Sequence, residues 1–267
     1  MSRISRREFL IRSVYAAAWT IAPTLIASSK AQGLSYPHGS VQSAVPGRLA
    51  LIIDDVGFSV ERIQPFLEMN VPLTFSILPH LPYSRLLAEK IHDHGHEIML
   101  HQPMEPHNMF IDPGPGALFV SLPHKTVEQI MVRNIESIPY AAGCNNHMGS
   151  RYTESRTCMQ PTLTLLKERR FFFIDSLTSQ RSIAFDTAKT LGMPTACRNV
   201  FIDNIREQHY ISAQLQQLKH HALRTGYALG IGHPRPETVA ALKKFLAGLR
   251  GSGITLTYAS HLLDTVS

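Results

Sequence analysis

Apolar residues along this chain come in short dense runs, each halted by a polar residue and followed by a stretch with helical spacing. The sharpest run is Leu49-Ala50-Leu51-Ile52-Ile53, which stops at Asp54-Asp55 just before Gly57. A run rich in Ile and Leu, without alternation, suits a strand buried on both faces, and the glycine marks a turn after it. Further strands are predicted at Leu73 to Leu78, Glu97 to Leu100, Ala142 to Asn146, Phe171 to Ile174, Asn199 to Ile202, Tyr227 to Ile231 and Ile254 to Thr257. Between them lie predicted helices: Ser59 to Met69, Tyr83 to His94, Thr126 to Ile138, Pro161 to Arg170, Ser182 to Leu191, Gln208 to Thr225 and Pro236 to Arg250. Ser59 suits an N-cap, Thr126 and Gln129 have capping-box spacing, and Gly95 closes the second helix. Only Gln102 to Pro123 breaks the alternation; broken by prolines and glycines, it reads as a lid or wall over a site.

Strands alternating with helices imply parallel crossovers. The fold expected is α/β, an irregular (β/α) barrel of about seven parallel strands in a single domain covering residues 48–267. In such folds sites form at the C-terminal ends of the strands, where loops gather groups from several strands over a packed core. Asp54, Asp55, His101, His147, Asp175, Asp203 and His233 each fall near such an end. One rim would carry them all.

Composition adds less. With 267 residues, 44% of them apolar, the chain can bury a full core. Of the formal net charge of +6, the first 31 residues carry +4, so the remainder gives no footprint for nucleic acid. Residues 1–31 read as an export signal: Arg6-Arg7 is a twin-arginine pattern, an apolar run spans Val14 to Ile26, and Ser29-Lys30-Ala31 is a small-x-small cleavage site. That apolar run is shorter than the roughly 20 residues of a spanning helix and contains Pro23, so no stable membrane anchor is expected after cleavage. Residues 32–47 read as a flexible tether, and the mature protein is expected in the periplasm or secreted. Cys144, Cys158 and Cys197 lack zinc-type spacing, and no glycine-rich phosphate loop follows the first strand.

The candidate chemistry starts from the paired aspartates. Neighbours on a strand point to opposite faces, so Asp54 and Asp55 share a site only if the backbone turns there, as Gly57 would permit. One carboxylate could then bind a metal while the other takes a proton from water that the metal activates. His101, Glu105 four residues later, and His147 are candidate partners of Asp55. His233, in Ile231-Gly232-His233-Pro234, suits a general acid. Asp175 could orient His233, support a metal histidine or cap the turn that follows it. Arg198 and Asp203 could pair on the rim, and Asn146 could support the ligands beside it. A two-carboxylate glycosidase fits adjacent aspartates poorly.

These residues resemble a known family. Asp54-Asp55, the histidine that follows Gly95-His96-Glu97-Ile98, and Ile231-Gly232-His233 look like three motifs of the polysaccharide deacetylases. His101-Gln102-Pro103-Met104-Glu105, Asn145-Asn146-His147-Met148-Gly149-Ser150, Phe172-Phe173-Ile174-Asp175-Ser176 and Ile231-Gly232-His233-Pro234 look like its divergent branch, over about Leu49 to Leu263. The resemblance implies a Zn²⁺-type divalent ion on one aspartate and two histidines, with Asp54 as base, Asp55 and His101 as ligands and His233 as acid. Glu105 stands where ordinary members have a second histidine, so His147 or Glu105 would complete the set, and His147 restores the usual donors. The function implied is hydrolysis of acyl groups on an N-acetylated envelope polysaccharide. The alternative is a catalytically silent glycan-binding or envelope-assembly protein on the same barrel.

Overall fold

A computed structural model describes residues 46–263. Nine strands form one sheet: β1 (Gly47–Val56), β2 (Thr74–Ile77), β3 (Glu97–Met104), β4 (Gly143–Met148), β5 (Phe172–Asp175), β6 (Thr195–Cys197), β7 (Val200–Phe201), β8 (Tyr227–Gly232) and β9 (Ile254–Thr257). The helices are α1 (Val60–Leu67), α2 (Ser84–Asp93), α3 (His124–Ser137), α4 (Arg156–Glu168), α5 (Ala184–Thr190), α6 (Gln208–Thr225), α7 (Pro236–Ala247) and α8 (Ser260–Leu263). Every pairing is parallel, in the order β6-β5-β4-β3-β2-β1-β8-β7, with β9 joining the first half of β1. The result is an open (β/α) half-barrel with β1 inside it. Its end strands β6 and β7 are joined by Arg198 and Asn199 without pairing to each other.

Four strands, β1, β3, β5 and β8, serve two cores. On β1, Leu49, Leu51 and Ile53 pack into the larger apolar cluster beneath the helices, while Ala50 and Ile52 enter a smaller one with Met99, Ile174, Leu229 and Ile231. Apolar side chains on both faces explain why the strands read as continuous runs.

Several boundaries differ from the sequence reading. β1 runs on past Ile53 to Val56, so Asp54 and Asp55 lie within it, and α3 starts at His124 behind Pro123, with Thr126 inside the helix rather than capping it. The three residues of β6 carry too little pattern to be recognised. α4 starts at Arg156 and carries Pro161 inside it, where the sequence suggested that the proline opened the helix. A proline two turns into a helix costs one backbone bond, which burial of Met159, Leu163 and Leu166 offsets. Finally, β3 and β4 run on to Met104 and Met148, so His101 and His147 lie within strands rather than beyond them. The register pairs His101 with Asn145 and Pro103 with His147.

Among the described residues no helix is long and apolar enough to cross a membrane. The expected export signal and nearly all of the tether lie outside the described residues, and Gly47, placed at the end of that tether, already belongs to β1.

Candidate metal and catalytic site

Strand alternation decides which side chains reach the barrel interior. With Ala50 and Ile52 inside, Asp54 follows them inward, buried at 3% exposure. His101 follows Met99 on β3, and Asn145 lies beside it on β4; His233 follows Leu229 and Ile231 off the end of β8. By the same rule Asp55 should face the helices. It does not, because its backbone takes φ +57° and the pairing of β1 with β2 slips between Ile53 and Val56. That local left-handed turn, at Asp55 itself rather than at Gly57, returns its carboxylate to the interior.

There Asp55 Oδ1 lies 3.2 Å from His101 Nε2 and 3.0 Å from His147 Nδ1, and the two nitrogens are 3.2 Å apart. Asp55 Oδ1 is buried yet has no hydrogen-bond partner, and its lone pairs and the two ring nitrogens converge on one point. Ligands about 2.0–2.1 Å from a tetrahedral zinc stand about 3.3 Å apart, close to all three edges of this triangle. The donor set of two imidazoles and a carboxylate fits a divalent cation.

Asn145 sets the polarity of this cluster. Its Nδ2 donates to Asp54 Oδ1 at 2.9 Å, and its Oδ1 accepts from His101 Nδ1 at 2.7 Å and from Ser76 Oγ. A proton on Nδ1 of His101 leaves Nε2 as the lone pair facing Asp55. Burial pushes the Asp54 carboxyl above the ordinary range, against the pull of His101, His233 and Asn145. Burial acts on Asp55 too, but the adjacent His101 and His147 outweigh it and hold its carboxyl far below that range. Two neighbouring acids are thus driven apart, one toward proton exchange and one toward permanent charge. For His101, burial opposes the charged ring, yet Asp54 and Asp55 raise its pKa.

His233 is held from behind by Asp203. Its Nδ1 lies 2.8 Å from Asp203 Oδ1 and its backbone N–H donates to Oδ2, which also accepts from Thr238. Burial lowers the pKa of His233, but the Asp203 carboxylate more than restores it; that carboxylate is itself lowered by the histidine in spite of burial. The free Nε2 faces the cluster, 3.6 Å from Asp55 Oδ2.

Asp175, Arg198, Glu105 and Asn146 stand outside this cluster. Asp175 lies with Phe173 on the helix side of β5, and accepts from Leu177 N, Ser182 Oγ and Phe185 N. It caps the following turn, while Asp203 takes the place of His233's partner. Arg198 does not pair with Asp203; it donates to the carbonyls of Ser176 and Leu177, and Arg235 lies 3.6 Å from Asp203 instead. Glu105 is outside the triangle, accepting from Arg151 at 2.8 Å and from Val120 N at 2.6 Å. Asn146 accepts from Ser176 N and donates to the Met148 carbonyl, supporting the rim rather than a ligand.

Residues 51–263 match the family described as divergent polysaccharide deacetylase. The chain belongs to that family. Among relatives of the divergent polysaccharide deacetylases, the uncharacterised protein YibQ of Escherichia coli is 33% identical over 221 residues, covering 82% of this chain and 68% of YibQ. An uncharacterised protein of Agrobacterium tumefaciens, known from a crystal structure, has the same fold: TM-score 0.78 and 25% identity over 82% of this chain and 90% of that one. A mutant of a Bacillus anthracis carbohydrate esterase pseudoenzyme, with restored enzymatic activity, overlaps at a TM-score of 0.50 and 16% identity, over 83% of this chain and 69% of that one. That last likeness concerns the fold alone.

Asn145 and Ser76 went unassigned in the sequence. The signal for Asn145 was available, since a buried amide two residues before a candidate ligand, on the same strand face, needs polar partners. Ser76 sits inside an apolar strand and carries no such signal.

Proposed function

We propose that this protein is an exported, metal-dependent hydrolase that removes acyl groups, N-acetyl by preference of mechanism, from an envelope polysaccharide. The observation that carries the reading is the triangle of Asp55, His101 and His147 around a buried, unsatisfied carboxylate oxygen, with Asp54 and His233 on its flanks. Asp55, His101 and His147 would hold a divalent cation, zinc by the donor set, and when bound it would supply Lewis acidity toward water and an acyl carbonyl. The protein's own groups do the rest. Asp54, anchored through Oδ1 by Asn145, presents Oδ2, 3.6 Å from His101 Nε2, to take the proton of an attacking water. His233, its Nδ1 engaged by Asp203, presents Nε2 to give a proton to the departing amine. The glycan comes from the family description, and export from the twin-arginine pattern at Arg6-Arg7.

A second reading has its own support: the same fold occurs in a pseudoenzyme whose activity a mutant restores, so the barrel alone does not guarantee turnover. Metal analysis of the purified mature protein, with Asp55→Ala and His101→Ala beside it, separates the two. Near-stoichiometric zinc, lost in both variants, is expected. Asp54→Asn should keep the metal yet lose turnover of an acetylated oligosaccharide about 100-fold or more. Metal-free wild type that binds glycan without releasing acetate would establish the silent reading instead.

A further inference from the structure

The cleft above the metal triangle has two lobes of unlike chemistry. Cavities of about 290 and 260 Å³ are both lined by Asp55 and Phe58. One is walled by Leu78, Pro79, Leu81, Pro103, Pro115 and Met148, with Asp112 its one acid besides Asp55. The other runs past His233 and carries Arg62, Arg206 and Arg235. Glu237 is the one acid there besides Asp55. Arg235 is fixed by its bond to the Asp203 carbonyl. The exposed side chains of Arg62, in the first turn of α1, and Arg206, just before α6, make no hydrogen bond or ion pair among the described residues.

Resting on the glycan reading above, we propose that the His233 lobe is a subsite for an anionic group of the substrate, a carboxylate or phosphate carried by the glycan. Three elements each bring a guanidinium to one 290 Å³ cavity, and the folded chain gives two of them nothing to pair with. Guanidinium groups match planar carboxylate and tetrahedral phosphate oxygens through paired N–H donors. Their position beside Asp55 and His233 would fix which way the chain of sugars runs across the reacting acyl group. The apolar lobe, with its prolines, suits an uncharged sugar face.

The test compares N-acetylated oligosaccharides of equal length that are neutral, carboxylate-bearing or phosphate-bearing, for turnover and for equilibrium binding by calorimetry. The wild type should favour an anionic oligosaccharide about tenfold, mainly in KM, and added salt should shrink the preference. In the double variant Arg62→Gln/Arg206→Gln the ratio should fall toward one, while Arg224→Gln/Arg250→Gln, a charge-matched control at two exposed arginines outside the cavity, keeps it. Which anionic probe binds tighter distinguishes carboxylate from phosphate. Binding without turnover, still charge-selective and lost in the double variant, would retain the subsite and remove the hydrolase reading. Equal affinity for neutral and anionic probes, no binding of any probe, or selectivity that survives the double variant would overturn the subsite.

Discussion

Replacing Asn145 by leucine would strip Asp54 Oδ1 of its donor and His101 Nδ1 of its acceptor in one step. Groups that orient a metal-binding histidine in this way typically govern 10–100-fold in affinity, so zinc affinity of Asn145→Leu should fall by about that much in a chelator competition. Asn145→Asp makes a different prediction. It keeps the acceptor for His101 but sets a second carboxylate against Asp54, so metal should stay while turnover falls. A uniform loss of both properties in both variants would reduce Asn145 to a packing residue. Asp175 illustrates the opposite case at this scale. Its sequence position matches that of a site residue, yet one step of strand alternation turns it to the helix face, where it holds Ser182 and the start of α5.

At the level of elements, the long segment after β3 is a wall with fixed footings. Leu118 bridges to Met104, Glu105 accepts from Val120 N and Arg151, and buried Asn134 on α3 donates to Gln102 Oε1 and to the Gly116 carbonyl. His80, exposed just after β2, reaches the same Asn134, its Nε2 lying 2.8 Å from Asn134 Oδ1. No side chain fits at Gly116, since a Cβ there would stand 2.3 Å from Asn134 Oδ1. The function of Glu105 as a footing rather than a ligand is testable. Glu105→Ala should leave metal content unchanged, lower stability by about 1–3 kcal/mol and expose residues 107–120 to limited proteolysis. Loss of metal in that variant would restore Glu105 to the ligand set.

Across the whole molecule, metal binding and folding should be coupled, because the three donors come from β1, β3 and β4 and meet only in the folded sheet. Zinc at about 100 times its Kd should stabilise by about 2.7 kcal/mol, raising Tm by about 5–10 °C in a chain of this size. EDTA should abolish the increment, and Asp55→Ala should never show it. An identical zinc response in Asp55→Ala would place the ion elsewhere. The sequence by itself determined the alternation of strands and helices apart from β6, the parallel class, and the strands on or just after which Asp54, Asp55, His101, His147 and His233 stand. Dense apolar runs and their polar stops are local properties, and they survive in the linear chain. Only the tertiary structure decided which residues face inward. Strands apolar on both sides carry no alternation to reveal that Ala50 and Ile52, rather than Leu49 and Leu51, line the interior. For the same reason the left-handed turn at Asp55, the choice of His147 over Glu105, and the pairing of Asp203 with His233 became visible only when neighbouring strands fixed the register.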